Sequence, residues 1–71
     1  MVYTNTKVTP SGKVKFAGHL HADARLRRYA GRIVRVALAG PIGLCAVYSS
    51  NGKFICIAEN TRLFNQYLKP D

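Results

Sequence analysis

Residues 46–60 of this 71-residue chain read AVYSSNGKFICIAEN, and this stretch decides the fold. Its Asn51-Gly52 pair lies between two apolar, β-prone runs, which is the sequence pattern of a tight β-hairpin. A strand with one face in water alternates apolar and polar residues, whereas both of these runs are apolar at successive positions. The sequence therefore predicts a hairpin that is buried on both faces, with strands near 44–49 and 53–58.

The length of the hairpin loop sets which residues face each other. A two-residue turn centred on Asn51-Gly52 places Tyr48 opposite Ile55 and puts the two cysteines of the hairpin on the same face. A three-residue loop with Gly52 as the left-handed residue instead places Tyr48 opposite Phe54 and turns the cysteines to opposite faces. We prefer the second register because Tyr48 and Phe54 then form a favourable aromatic pair.

Length and composition indicate a single small globular domain spanning residues 1–71. The apolar fraction of 48% is typical of folded proteins. The sequence contains neither a run of 18 apolar residues nor the apolar core of a signal peptide, so we expect a cytoplasmic protein without a membrane partner. In that compartment Cys45 and Cys56 stay reduced, and their apolar neighbours predict that both are small core residues.

Four further segments form the rest of the predicted barrel and its helix. β-prone or alternating residues predict strands near 2–9, 13–17 and 32–38. An N-capping aspartate and a terminal glycine mark a helical turn over 23–30. With the hairpin, these segments predict a mainly β fold, a small antiparallel β-barrel of about five strands.

A C-terminal helix is predicted near 60–68, with Asn60 as its N-cap. Its apolar stripe consists of Leu63, Phe64, Tyr67 and Leu68. We expect this stripe to cover the outer face of the hairpin or the open end of the barrel. The predicted core comprises Val14, Phe16, Leu26, Val34, Val36, Leu38 and Phe54.

Positive charge is the strongest feature of the composition. Eleven Lys and Arg residues face three acidic residues, which gives a formal net charge of +8. Such a balance in a small folded domain favours a polyanionic partner, with nucleic acid before an anionic membrane surface. A charge that only maintains solubility is the alternative, although solvated surfaces usually mix both signs.

Five of the cations lie within the eleven residues 25–35. On a short helix Arg25 and Arg28 share one side, while Arg27 points elsewhere. Guanidinium groups bind phosphates bidentately and lysines add point charges, so we expect contacts to the phosphate backbone rather than to base edges. The candidate DNA-binding residues are Lys13, Lys15, Arg25, Arg27, Arg28, Arg32, Arg35 and Lys53.

The sequence contains few residues that could catalyse a reaction or bind a metal. The acidic residues are Asp23, Glu59 and Asp71, too few for a two-metal carboxylate site. His19 and His21 have H-x-H spacing, which on a strand places both side chains on one face, and we expect that face at the solvent edge. The sequence also has no P-loop and no G-x-G-x-x-G motif. We therefore expect a protein that is not an enzyme and that needs no metal or cofactor.

Three motifs follow one another between residues 8 and 60. They are a strand after a turn glycine (Gly12 to Phe16) with Leu26 beyond it, a G-x-x-V-x-V strand (Gly31, Val34, Val36), and the hairpin VY-x-x-x-G-x-F-I-C-x-A (Val47 to Ala58). In this order they resemble the small C-terminal β-barrel domain of the Mu-type transposase family. The hairpin is the most specific part of the resemblance.

The resemblance implies a function in DNA recombination by a mobile element. In that family the barrel follows a catalytic domain with an RNase H-like fold and contacts DNA without strong sequence preference. It therefore implies a sequence-tolerant DNA-binding domain, with duplex DNA and a transposase catalytic domain as partners. The chain departs from the family at His21, where an aromatic residue is expected, and at the acid-free loop 39–43. An excised domain, a truncated element and a free-standing protein all fit the sequence. The alternative function is a protein–protein adaptor or inhibitor of phage origin whose basic face docks an acidic partner.

Overall fold

The structure is a computed structural model that describes residues 3–40 and 43–68. In this part of the chain, one antiparallel sheet of six strands curls into a nearly closed barrel. The strands are Thr4–Lys7 (β1), Lys13–Phe16 (β2), His19–Ala22 (β3), Ile33–Leu38 (β4), Leu44–Ser49 (β5) and Phe54–Glu59 (β6). A 3₁₀ helix spans Ala24–Tyr29, and the α-helix α1 spans Thr61–Leu68. The strand order is β1-β4-β5-β6-β3-β2, and β1 lies next to β2, which brings the two edges of the sheet together.

The predicted mainly β barrel is confirmed, with one strand more than the sequence indicated. The additional strand is β3, which pairs with β2 so that Phe16 lies opposite His19. Ala17 and Gly18 form the tight turn between them, with φ values of +54° and +82°. Positive φ at both central positions is the type I′ geometry that suits a hairpin, but Ala-Gly is not one of its usual dipeptides. The turn was therefore not recognised in the sequence.

The β5–β6 hairpin has the three-residue loop that we preferred. The Ser49 N–H donates to the Lys53 carbonyl oxygen at 2.8 Å, and the Gly52 N–H donates to the Ser49 carbonyl oxygen at 2.9 Å. Gly52 has a φ of +91°, and Tyr48 lies opposite Phe54 with ring centroids 5.6 Å apart. The predicted aromatic pair at the hairpin tip is confirmed.

A β-bulge next to the tip changes the register for the rest of the hairpin. The register shifts between Val47 and Tyr48, so that Val47 lies opposite Cys56 and Ile55 has no partner. Cys45 and Cys56 consequently lie on the same inner face, and both are fully buried. Our expectation that the cysteines face opposite ways is wrong, because the extra residue in β6 restores the other register beyond the bulge. Their prediction as core residues is confirmed.

The core fills the barrel interior. It consists of Val8, Val14, Leu26, Val34, Val36, Cys45, Val47, Cys56 and Ala58. Four of the seven predicted core residues belong to this cluster, and Phe16 is half-buried against it.

Two predicted core residues are exposed, Phe54 by 53% and Leu38 by 63%. Phe54 pairs with Tyr48 on the outer face of the sheet, because the bulge reverses the alternation that the sequence suggested. Leu38 has the same parity as Val36 but lies at the end of its strand, where it lines a cavity of about 160 Å³ at the open end of the barrel. Both predictions are wrong.

The helix signals of the sequence are confirmed by the caps. The Arg25 N–H donates to Oδ1 of Asp23 at 2.8 Å, which begins the 3₁₀ helix, and Leu26 inserts from this helix into the core. At α1, the Leu63 N–H donates to Oδ1 of Asn60 at 3.0 Å. Asn60 also fastens the start of α1 to β3, because its Nδ2 donates to the Leu20 carbonyl oxygen at 2.9 Å.

The position of α1 fits one of its two predicted roles. Leu63 lines the cavity at the open end of the barrel, whereas Phe54 and Ile57 on the outer face of the hairpin remain 53% and 42% exposed. This part of the outer face is therefore not covered by the helix. The remaining side chains of the predicted stripe, residues 64, 67 and 68, lie outside the described part, as do residue 2 of the first predicted strand and residues 41–42. No helix in the described ranges is long and apolar enough to cross a membrane.

Candidate nucleic-acid interface

The eight predicted DNA-binding residues are all exposed, but they do not share one face. They border three grooves around the 3₁₀ helix and part of the outer face of the sheet. This distribution follows from the short helix, which sends neighbouring side chains in different directions, and from the alternation along β2 and β4.

The groove with the best combination of groups lies between the 3₁₀ helix and the hairpin. This hairpin groove has a volume of about 430 Å³ and is lined by Ala24, Arg25, Arg28, Tyr29, Phe54 and Ile55. Arg25 and Arg28 therefore share one side of the helix, as the sequence predicted. Phe54 lines the same groove and is 53% exposed. Its role in the groove was missed because the sequence assigned Phe54 to the core.

A second groove adjoins the first at Tyr29. This Arg32 groove has a volume of about 290 Å³ and is lined by Tyr29, Arg32, Ile33, Ser49 and Ser50. Because Tyr29 is common to both grooves, the guanidinium groups of Arg25, Arg28 and Arg32 border adjoining concave surfaces beside the hairpin. Lys53, exposed next to the hairpin loop, adds a further cation to this end of the barrel.

The opposite side of the 3₁₀ helix has a different character. This Arg27 groove, of about 260 Å³, is lined by Ser11, Gly12, Lys13, Ala22, Asp23, Ala24 and Arg27. Gly12 lies so close to Arg27 that a Cβ at that position would approach Arg27 Cγ to 2.8 Å. The Asp23 carboxylate also lines this groove and opposes the attraction of its two cations for an anion. Lys15 projects farther along the outer face of β2, opposite Leu20.

The outer face of the sheet carries Arg35 among aromatic rings. Arg35 lies opposite Asn5 of β1 on one side and opposite Tyr48 of β5 on the other. Tyr48 makes edge-to-face contacts with Tyr3, at a centroid distance of 5.3 Å, and with Phe54. Tyr3 was not singled out in the sequence, because the pairing of β1 with β4 that brings it here is a long-range contact.

The two histidines do not form the solvent-edge pair that the spacing suggested. His21 is 2% exposed and faces the barrel interior opposite Val14, whereas His19 is exposed at the beginning of β3. With its proton on Nδ1, the His21 ring donates to the His19 carbonyl oxygen at 3.2 Å. Burial lowers the pKa of His21 from 6.5, and this effect exceeds the opposing effect of the hydrogen bond. His21 is therefore a neutral part of the core wall at pH 7.

The thiols are poorly suited to nucleophilic chemistry. Burial raises the pKa of Cys45 to about 11, and burial together with the nearby Asp23 carboxylate raises the pKa of Cys56 to about 11. Both therefore remain neutral thiols at pH 7, whereas a nucleophilic cysteine needs the thiolate. Among the described residues, no group of three His, Cys, Asp or Glu side chains is placed to hold a metal ion.

Comparison of the chain with models of protein families, with curated proteins and with solved structures finds no match.

Proposed function

We propose that this domain is a non-enzymatic, sequence-tolerant DNA-binding domain that contacts phosphates through the hairpin groove and the Arg32 groove. One observation carries the proposal: three guanidinium groups border adjoining concave surfaces, and no carboxylate is among the described residues that line them. The Arg27 groove, which contains Asp23, is the weaker candidate.

The chemistry of these grooves favours phosphate over base edges. Each guanidinium can donate two parallel hydrogen bonds to one phosphate, and the Ser50 hydroxyl group is a further donor. The Ser49 hydroxyl group already donates to Oδ1 of Asn51. No Asn or Gln side chain, the usual reader of adenine, is among the described residues that line either groove. Contacts of this kind hold a duplex in place without distinguishing its sequence.

The resemblance over residues 8–60 supports a role for this surface in a larger assembly. We propose that the barrel supplies a DNA contact beside a Mu-type transposase catalytic domain, which brings its own carboxylates. This arrangement assigns the barrel no chemical step, and it agrees with the scarcity of acidic residues in the chain.

The dependence of duplex affinity on salt tests the proposal. Each phosphate neutralised adds about −0.9 to the slope of log affinity against log salt. If Arg25, Arg28 and Arg32 bind phosphates with help from Arg35 and Lys53, the slope is about −3 to −5. We expect about micromolar or weaker affinity at physiological salt, with little difference between unrelated sequences, measured by fluorescence anisotropy.

A pair of double variants locates the contact. Arg25→Gln with Arg28→Gln should weaken binding to all duplexes alike and flatten the slope by about two units. Lys13→Gln with Arg27→Gln removes the same charge from the other side of the 3₁₀ helix, and should flatten the slope by less than one unit. Equal effects of the two pairs would contradict the assignment to the hairpin groove. A wild-type protein that binds no duplex even at low salt would refute the DNA-binding function and favour the acidic protein partner.

A further inference from the structure

Three aromatic side chains form a continuous row on the outer face of the barrel. This aromatic row consists of Tyr3, Tyr48 and Phe54, with centroid distances of 5.3 Å and 5.6 Å and interplanar angles of 87° and 71°. In an edge-to-face pair, the ring that contributes its edge keeps both of its faces free of its neighbour. The end members Tyr3 and Phe54 are 44% and 53% exposed. The row therefore presents aromatic surface to solvent.

Cations border this row at its middle and at one end. Arg35 lies beside Tyr48 in the strand register, and Phe54 also lines the hairpin groove, in which it faces Arg25 and Arg28. Cross-strand stabilisation accounts for the contact between Tyr48 and Phe54. It does not account for the third ring, or for the guanidinium groups beside Tyr48 and in the groove of Phe54. Aromatic faces combined with a cationic track are the pattern of proteins that bind single-stranded nucleic acid.

We propose that the aromatic row binds unpaired bases of single-stranded DNA by stacking, while Arg35 and the arginines of the hairpin groove hold the adjacent phosphates. This inference rests on the proposed DNA-binding function and narrows its substrate class to DNA with an unpaired segment. In an intact duplex the base faces are covered by their neighbours, so the row gains nothing from duplex DNA. The same protein then binds duplex through charge alone and single strands through charge and stacking.

The charges around the aromatic row indicate which kind of ligand binds to it. An apolar protein surface docked here would have to bury or displace Arg35, whose desolvation is costly without a paired anion. A nucleic-acid strand supplies both an anion for Arg35 and a flat surface for the aromatic rings, because every nucleotide carries a phosphate and a π-face.

Matched oligonucleotides separate stacking from charge. Anisotropy is measured with a single strand of mixed sequence, its duplex, and an abasic strand of equal length, which keeps the phosphates without the bases. Phe54→Leu should weaken single-strand binding by roughly 5- to 100-fold, the effect of losing one stacked base, and should weaken duplex binding by a much smaller factor. The salt slope should not change, because no charge is removed. Tyr3→Leu should act in the same direction.

Two further variants complete the test. Leu20→Ala removes an apolar side chain that is 48% exposed on β3, opposite Lys15, and should leave single-strand binding unchanged. Phe54→Trp should retain the affinity. Because the chain has no Trp, this variant adds a fluorophore whose emission should be quenched by the single strand but not by the abasic one.

The outcomes distinguish this inference from the proposed function. Two results would refute base stacking on the aromatic row and leave the proposed phosphate contacts standing. One is equal affinity for abasic and normal strands, and the other is a Phe54→Leu variant whose affinities for duplex and single strand fall by the same factor. Binding of neither single strand nor duplex would instead refute the DNA-binding function itself, and the inference with it.

Discussion

Replacement of Gly52 tests the left-handed backbone conformation of the hairpin loop that precedes Phe54. Gly52 has a φ of +91°, a region that residues with a Cβ enter only at a cost. A Cβ built at this position meets nothing within 4 Å, so a substitution creates no clash. The cost is therefore conformational, and it should rank variants by how well each tolerates positive φ.

The ranking gives magnitudes for three variants. Asn enters the left-handed region several times more readily than most residues, so Gly52→Asn should cost well under about 1 kcal/mol. Gly52→Ala should cost about 1 kcal/mol, and the β-branched Gly52→Val about 2 kcal/mol or more. In a domain of this size, each 1 kcal/mol lowers Tm by roughly 4–8 °C.

Thermal unfolding followed by circular dichroism measures these differences. The order Asn, Ala, Val in decreasing Tm supports the loop geometry. Three variants with the same Tm would show that the backbone at Gly52 relaxes without cost, and an Asn variant less stable than the Val variant would refute the left-handed conformation outright.

Two further predictions concern the core. Leu26→Ala should cost about 2–5 kcal/mol, because Leu26 is fully buried beneath the 3₁₀ helix. That loss is comparable with the total stability of about 4–10 kcal/mol expected for this length, so urea denaturation should show a mostly unfolded variant or a greatly lowered midpoint. Because burial lowers the pKa of His21, the unfolded chain binds the proton first as the pH falls below 6.5, and stability should decrease through this range until the folded imidazole also titrates. Urea midpoints between about pH 5 and 7 should lose this dependence in His21→Gln and keep it in His19→Gln.

Features encoded by neighbouring residues were predicted from the sequence. The turn dipeptide located the β5–β6 hairpin, and Asp23 and Asn60 located the starts of the two helices. The spacing within the 3₁₀ helix correctly separated Arg25 and Arg28 from Arg27. Each of these features depends on hydrogen bonds or side-chain directions within a few residues, which the sequence displays directly.

Features that depend on distant pairing were not predictable in this way. The bulge at Ile55 joins two registers of the hairpin. Tyr48 pairs with Phe54 at the tip, and Val47 pairs with Cys56 on the interior side of the bulge. The sequence offered these pairings as two alternative registers, and a pattern of alternation, which assumes one parity along the whole strand, could not combine them. The error placed Phe54 in the core and hid it from the candidate site.

The bulge also explains why both runs of the hairpin are apolar on both faces. With one extra residue, β6 turns Cys56 and Ala58 toward the barrel interior and Phe54 toward the outside. The inner apolar face is therefore core. The outer one is not a second buried face, since Phe54 and Ile57 remain exposed and Phe54 lines the groove of Arg25 and Arg28. In a strand without a bulge, Phe54 would lie on the same face as Cys56 and Ala58. The unpaired Ile55 lets β6 fill the core with Cys56 and Ala58 and still present Phe54 at the groove.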